Sequence, residues 1–173
     1  MRGINPVRSA ETIPPTRSRL LELVDAFAGQ PVLLLVDVVV DRFVLGSPKR
    51  ISREAPVLIL RWSGETLAPG GGANAAANVR SLGGRPLPVG CVGDDEPGRA
   101  LTAALADSGI ETRGILIRQG WATPTKTRLL AGFPTGIKQQ IARIDREEIA
   151  PLDERDRSAL GERFLRLADA CRA

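Results

Sequence analysis

The chain of 173 residues contains no histidine and no tyrosine, only two cysteines, and 3% aromatic residues. Without histidine, zinc sites of the usual kind and every histidine-based catalytic triad are excluded. Cys91 and Cys171 have no second cysteine near them, so they read as reduced thiols, with Cys91 inside an apolar run. Four Phe and two Trp leave few stacking platforms, and the arginines are spread along the chain rather than clustered. The net charge of +4 therefore points away from nucleic acid and suits an anionic small molecule at least as well. No apolar run reaches the roughly 18 residues of a membrane span. The longest, from Pro31 to Val40, is broken by Asp37. The first residues lack the apolar core of a secretory signal. The expectation is a cytoplasmic protein with no membrane association, a disordered leader over residues 1–17, and one folded unit over residues 18–173.

Hydrophobic patterning supplies the elements. Leu20, Leu21, Val24 and Phe27 fall on one helical stripe, with Gly29 as its stop. PVLLLVDVVVD then reads as a strand covered on both faces, with Asp37 and Asp41 towards its C-terminal end, where open α/β sheets bind ligands. RFVLG and PVLILRW, separated by SPKRISREAP, read as a small strand lid over residues 43–66. PLPVGCVG is a second buried strand. Asp94, Asp95, Glu96 and Pro97 then open a helix that buries Leu101, Ala104 and Leu105 and ends at Gly109. RGILIR, TKTRLLA and QQIARID are strand-like, and Asp153 caps a last helix with a Leu160, Phe164, Leu167 and Cys171 stripe and an Asp153–Arg157 pair. Alternating strands and helices predict an α/β fold built on a mainly parallel sheet.

The most informative stretch is Gly70-Gly71-Gly72-Ala73-Asn74. Consecutive glycines let the backbone approach a ligand, the helix start that follows offers N–H groups to oxygen, and the Asn74 amide suits sugar hydroxyls. By itself such a turn is more often a device for packing a helix on a sheet. Lys126 and Arg128 point to one face of a strand, and an antiparallel partner carrying Arg143 brings a third cation beside them. Two readings stay open from the residues alone: a phosphate cluster, or a solvated strand face on which Asp145 and Glu147 pair some of the cations.

With its following Gly83 and Gly93, the Gly70–Ala76 segment resembles the first signature of the PfkB/ribokinase family of carbohydrate kinases. VDVVVDRF is similar to that family's opening strand and VGDDEPG to its turn into the next helix. Within the family, DRFVLGSPKRISREAPV, TPTKTRLLAG and QQIARIDREE resemble the heptose-7-phosphate kinases of lipopolysaccharide precursor synthesis. Val36 departs from the glycine usual before Asp37, and FPTGIK reads as longer than the usual link between its two strands. The resemblance implies a ribokinase-like fold with a small β-strand lid, and substrate contacts at Asp37, Asp41, Gly70, Gly71, Asn74, Lys126, Arg128, Gln140, Arg143 and Asp145.

It also implies ATP with Mg²⁺ as the donor in the complete enzyme. The family's Gly-Ala-Gly-Asp element, which holds its catalytic base, does not occur here, and neither does a Walker-type loop. The expectation is thus the sugar-binding half of a kinase, inactive alone, with no catalytic residue, no metal ligand and no tightly bound ATP. A homodimer through the lid strands and a C-terminal half on a separate chain are the expected partners besides a sugar phosphate. The alternatives are a kinase of this family for another sugar or nucleoside, and a truncated, non-catalytic binding or dimerisation module.

Overall fold

Thr16 caps the first helix, its hydroxyl accepting from the Arg19 N–H at 3.3 Å. This helix, α1 (Arg17–Asp25), begins inside the range expected to be a leader. The computed structural model describes residues 16–133, 135–147 and 150–171, so the rest of that leader, Pro134 of FPTGIK and Glu148 of the QQIARIDREE stretch lie outside the described residues. The apolar stripe of α1 does not pack as its periodicity predicts. Leu20, Leu21, Val24 and Phe27 are all exposed. The helix stop is as expected, with Gly29 in the left-handed region at φ 72°.

The apolar run after Gly29 makes two strands rather than one. β1 (Pro31–Leu35) ends, Val36 and Asp37 turn the chain, and β2 (Val38–Ile51) enters a different sheet. β2 pairs antiparallel with β3 (Leu58–Gly70), which runs directly into α2 (Gly71–Ser81). β4 (Arg85–Gly93) then lies parallel to β1, and α3 (Glu96–Asp107) leads to β5 (Ile115–Arg118) on the other side of β4. β6 (Thr125–Ala131) returns to the second sheet parallel to β2, and β7 (Gln139–Arg146) folds back on it before α4 (Glu154–Ala170).

The result is a parallel three-stranded sheet, β1-β4-β5, beside a mixed four-stranded sheet, β3-β2-β6-β7. β4, the central parallel strand, is buried from Pro86 to Gly93, as a strand covered on both faces must be. On one face Val92 and Ile115 pack with Ala73 of α2, Leu101 and Leu105 of α3, and Val38 and Val40 of β2. On the other, Leu87 and Val89 pack against Leu160, Phe164, Leu167 and Cys171 of α4, the stripe expected from sequence. Ala104 is exposed instead of buried. Asp153 caps α4 by accepting from the Asp156 N–H at 2.8 Å, whereas Arg157 pairs with Glu154 rather than with the Asp153 side chain. Among the described residues no helix is long and apolar enough to cross a membrane.

Candidate functional site

The end of β3 and the start of β2 lie side by side, with Val39 opposite Gly70 and Asp41 opposite Ala68. Alternation along β2 turns Val39, Asp41 and Phe43 to one face of the four-stranded sheet. The parallel pairing with β6 sets Lys126 beside Asp41 and Arg128 beside Phe43. The antiparallel pairing with β7 then sets Asp145 opposite Lys126 and Arg143 opposite Arg128. The hairpin register anticipated from the sequence therefore places all three cations on the face that carries Asp41.

Close packing shows why glycine occupies the turn into α2. A Cβ at residue 70 would sit 2.9 Å from Asp41 Cγ, and one at residue 71 would sit 3.3 Å from Asp37 Oδ2. Gly71 also has φ 51°, a conformation that side chains avoid. Both carboxylates thus lie directly against the glycine backbone. At Gly72 a Cβ would meet Val36 Cβ at 2.2 Å, so the valine standing where the resemblance leads one to expect glycine is accommodated by the missing side chain of Gly72. The Gly72 N–H donates to the Asp37 carbonyl at 2.9 Å. One amide of the helix start is therefore committed to the protein's own backbone and is not offered to a ligand.

Every cation of the cluster faces a carboxylate. Arg128 Nη1 donates to Asp41 Oδ1 at 2.5 Å, Arg143 Nε lies 2.8 Å from Asp145 Oδ1, and Lys126 Nζ lies 3.7 Å from Glu147 Oε1. The Asp41–Arg128 pair is the most sheltered, each side chain 22% exposed, and the Arg128 guanidinium stands 5.4 Å from the Phe43 ring centroid. Asp37 and Asn74 are exposed at the same end, Asn74 in the first turn of α2. Gln140 lies one step further along this face, towards the turn of the β6–β7 hairpin: a register shift between Leu129 and Leu130 puts it opposite Leu130.

Periodicity did not reveal the residues that hold the β5–β6 connection in place. Thr123 is fully buried; its hydroxyl donates to Asp95 Oδ1 at 2.6 Å and accepts from the Gly93 N–H at 2.9 Å. The Thr123 N–H donates to Asp95 Oδ2 at 3.0 Å, while Asp95 Oδ1 also accepts from Gly98 N–H as the cap of α3. Burial raises the Asp95 carboxyl, but the Thr123 and Gly98 donors together with Arg146 outweigh it and hold the group below the usual carboxylate range. Asp95 was legible as a helix cap; its tie to Thr123 was not, because nothing local marks a threonine so distant in sequence. Asp94 is held low by hydrogen bonds from Gln119 and Arg99. Arg42 reaches Glu96 at 2.7 Å and joins the second sheet to α3.

The sequence profile of pfkB family carbohydrate kinases matches residues 36–164, which include the whole of this site. The chain belongs to that family. It is 42% identical over 151 residues to the bifunctional protein HldE of Mesorhizobium japonicum, an alignment covering 87% of this chain and 29% of the relative. Against the protein of the same name from Magnetococcus marinus the identity is 45%, covering 70% of this chain and 24% of the relative. The chain thus spans under a third of the length of these curated relatives.

Among solved structures, phosphofructokinase-2 from Escherichia coli superposes with a TM-score of 0.53 at 20% identity, covering 80% of this chain and 41% of that one. Ribokinase from Arabidopsis thaliana, solved with ribose and ATP, gives 0.51 at 20% identity, covering 68% and 36%. These likenesses establish the ribokinase-like fold of this pfkB chain.

The residues of the candidate site suit hydroxyls better than a polyphosphate. Its glycine turn, the feature that would cradle a phosphate chain, is flanked by the Asp37 and Asp41 carboxylates, which repel a triphosphate and accept from hydroxyls. Among the described residues no group of three or more His, Cys, Asp or Glu side chains is placed to hold a metal ion.

Proposed function

We propose that this chain supplies the sugar-binding half of a kinase acting on a heptose 7-phosphate-like substrate, with residues 43–66 as a lid over the site. The observation that carries the reading is the common face of β2, β6 and β7, where Lys126, Arg128 and Arg143 stand around Asp41 beside the Gly70–Gly72 turn. In this reading Asp41, Asp37 and Asn74 meet hydroxyls, the guanidinium groups take the phosphate in bidentate fashion, and Lys126 adds a point charge. Gly70 and Gly71 let the sugar approach the backbone, and Asp145 orients Arg143. Gln140 stays a candidate contact only for a substrate that extends along the hairpin.

In the complete enzyme ATP and Mg²⁺ bind on the part that the longer relatives carry beyond this stretch, and the reaction takes place in the cytoplasm. The isolated chain binds sugar without turning it over. Isothermal titration of the 173-residue chain with heptose 7-phosphate, using fructose 6-phosphate and ribose as controls, tests the reading. Binding of the heptose phosphate that is lost in Asp41→Ala and Asn74→Ala supports it. A folded chain that binds none of the three refutes it.

A second reading has its own observation. Ile51, Val57, Leu58 and Trp62 are exposed together at the outer end of the β2–β3 hairpin, and β3 is an edge strand. An apolar edge of this kind pairs readily with another strand, which supports a homodimer through the lid. Sedimentation of the parent and of Trp62→Lys distinguishes a dimer from a monomer.

A further inference from the structure

The Asp41–Arg128 ion pair joins two groups that the proposed function assigns to different parts of one ligand. Asp41 is the carboxylate pressed against Gly70, where a sugar ring would meet the backbone; Arg128 is the most sheltered of the three cations. At 2.5 Å the two are engaged with each other, and the Phe43 ring beside the guanidinium helps hold it there. The outer pairs differ, for Arg143 and Glu147 are about half exposed or more, and water solvates them when they part.

Resting on the sugar-phosphate reading, we propose that this pair is an internal competitor that makes an anionic group on the ligand the condition for recognising its hydroxyls. A phosphate at Arg128 replaces Asp41 as the guanidinium's partner, and the released carboxylate becomes free to accept from sugar hydroxyls. A neutral sugar must part the same pair while offering Arg128 no replacement charge, and a half-buried cation left unpaired is costly. Discrimination against the unphosphorylated sugar then needs no clash. Arg128 acts here as a specificity-determining residue through the carboxylate it occupies.

The two half-ligands must help each other, and by linkage the help is reciprocal. The test uses the full chain, the neutral heptose and heptose 7-phosphate, with inorganic phosphate as a separate additive at constant ionic strength set by chloride. Saturating phosphate is expected to tighten neutral heptose about fivefold or more in the parent chain. Arg128→Gln is expected to tighten neutral heptose by a similar factor without phosphate, to abolish the phosphate effect, and to weaken heptose 7-phosphate about tenfold. Arg128→Lys, which keeps the charge, retains part of the phosphate effect.

If phosphate leaves the neutral-sugar affinity of the parent unchanged while heptose 7-phosphate still binds, the exchange is wrong and the sugar-phosphate reading stands. The same conclusion follows if a folded Arg128→Gln weakens both sugars alike. Failure of the parent chain to bind any of these ligands overturns both.

Discussion

Replacing Gly72 with alanine probes how Val36 fits beside the glycine turn. Gly72 is not among the glycines with positive φ, so helix propensity alone would make alanine stabilising by about 0.5–1 kcal/mol. Packing opposes this gain. The new Cβ would lie 2.2 Å from Val36 Cβ, 2.7 Å from Val36 Cγ1 and 2.8 Å from the Asp37 carbonyl oxygen, distances at which something must move. Overpacking of this kind costs about 1–3 kcal/mol, and the carbonyl is stiff because it also accepts from Gly72 itself. The expected net loss is about 1–2 kcal/mol, read as a fall in Tm of about 2–8 °C for a chain of this size.

The decisive measurement is a double-mutant cycle by urea or thermal unfolding. In a Val36→Gly background both valine contacts disappear, so Gly72→Ala is expected to cost at least about 0.5 kcal/mol less than in the parent. A Val36→Ala background keeps the 2.2 Å contact and loses only the 2.7 Å one, so it relieves less. Equal cost of Gly72→Ala in the parent and in Val36→Gly, or no cost in the parent, would refute the claim that Gly72 makes room for this valine.

Other outcomes follow from the buried polar groups. Burial pushes the Cys91 thiol up to about 11, with Asp156 adding to the shift, so iodoacetamide at pH 8 is expected to label Cys171 well before Cys91 in the native chain and both alike in urea. Peptide mass spectrometry reads the ratio, and equal native rates contradict the burial of Cys91. Asp95→Ala, which loses the cap of α3 and the partner of Thr123, is expected to cost about 1–2 kcal/mol at pH 7. The folded-state pKa of Asp95 is lowered, so its contribution is complete above the unfolded carboxylate value of about 4 and is lost as pH falls through the folded value. The stability gap between parent and Asp95→Ala should therefore narrow below about pH 4; a gap constant from pH 7 to pH 2 contradicts the assignment.

Local chemistry made some of this architecture legible. Asp95 and Pro97 announce the start of α3, Gly109 its end, and the spacing of Lys126, Arg128 and Arg143 the shared face of a hairpin. What escaped was decided by partners distant in sequence. PVLLLVDVVVD reads as one strand because nothing within it marks the break that Gly72 helps make by donating to Asp37. The α1 stripe has helical periodicity yet stays exposed, since periodicity says which residues share a face and not whether anything covers it. The pairing of Asp41 with Arg128 depends on a parallel register between β2 and β6 that no local signal encodes.

The chain passes between the two sheets at three places near one another: at Val36–Asp37 between β1 and β2, at Gly70–Gly71 between β3 and α2, and through the Thr123 segment between β5 and β6. Two of these passages are themselves candidate ligand contacts. Part of the joint between the sheets and part of the candidate site are therefore the same backbone. A substitution at Asp37 or Gly70 therefore disturbs the seam between the sheets as well as a proposed ligand contact, so loss of binding in such a variant has to be read beside its folding.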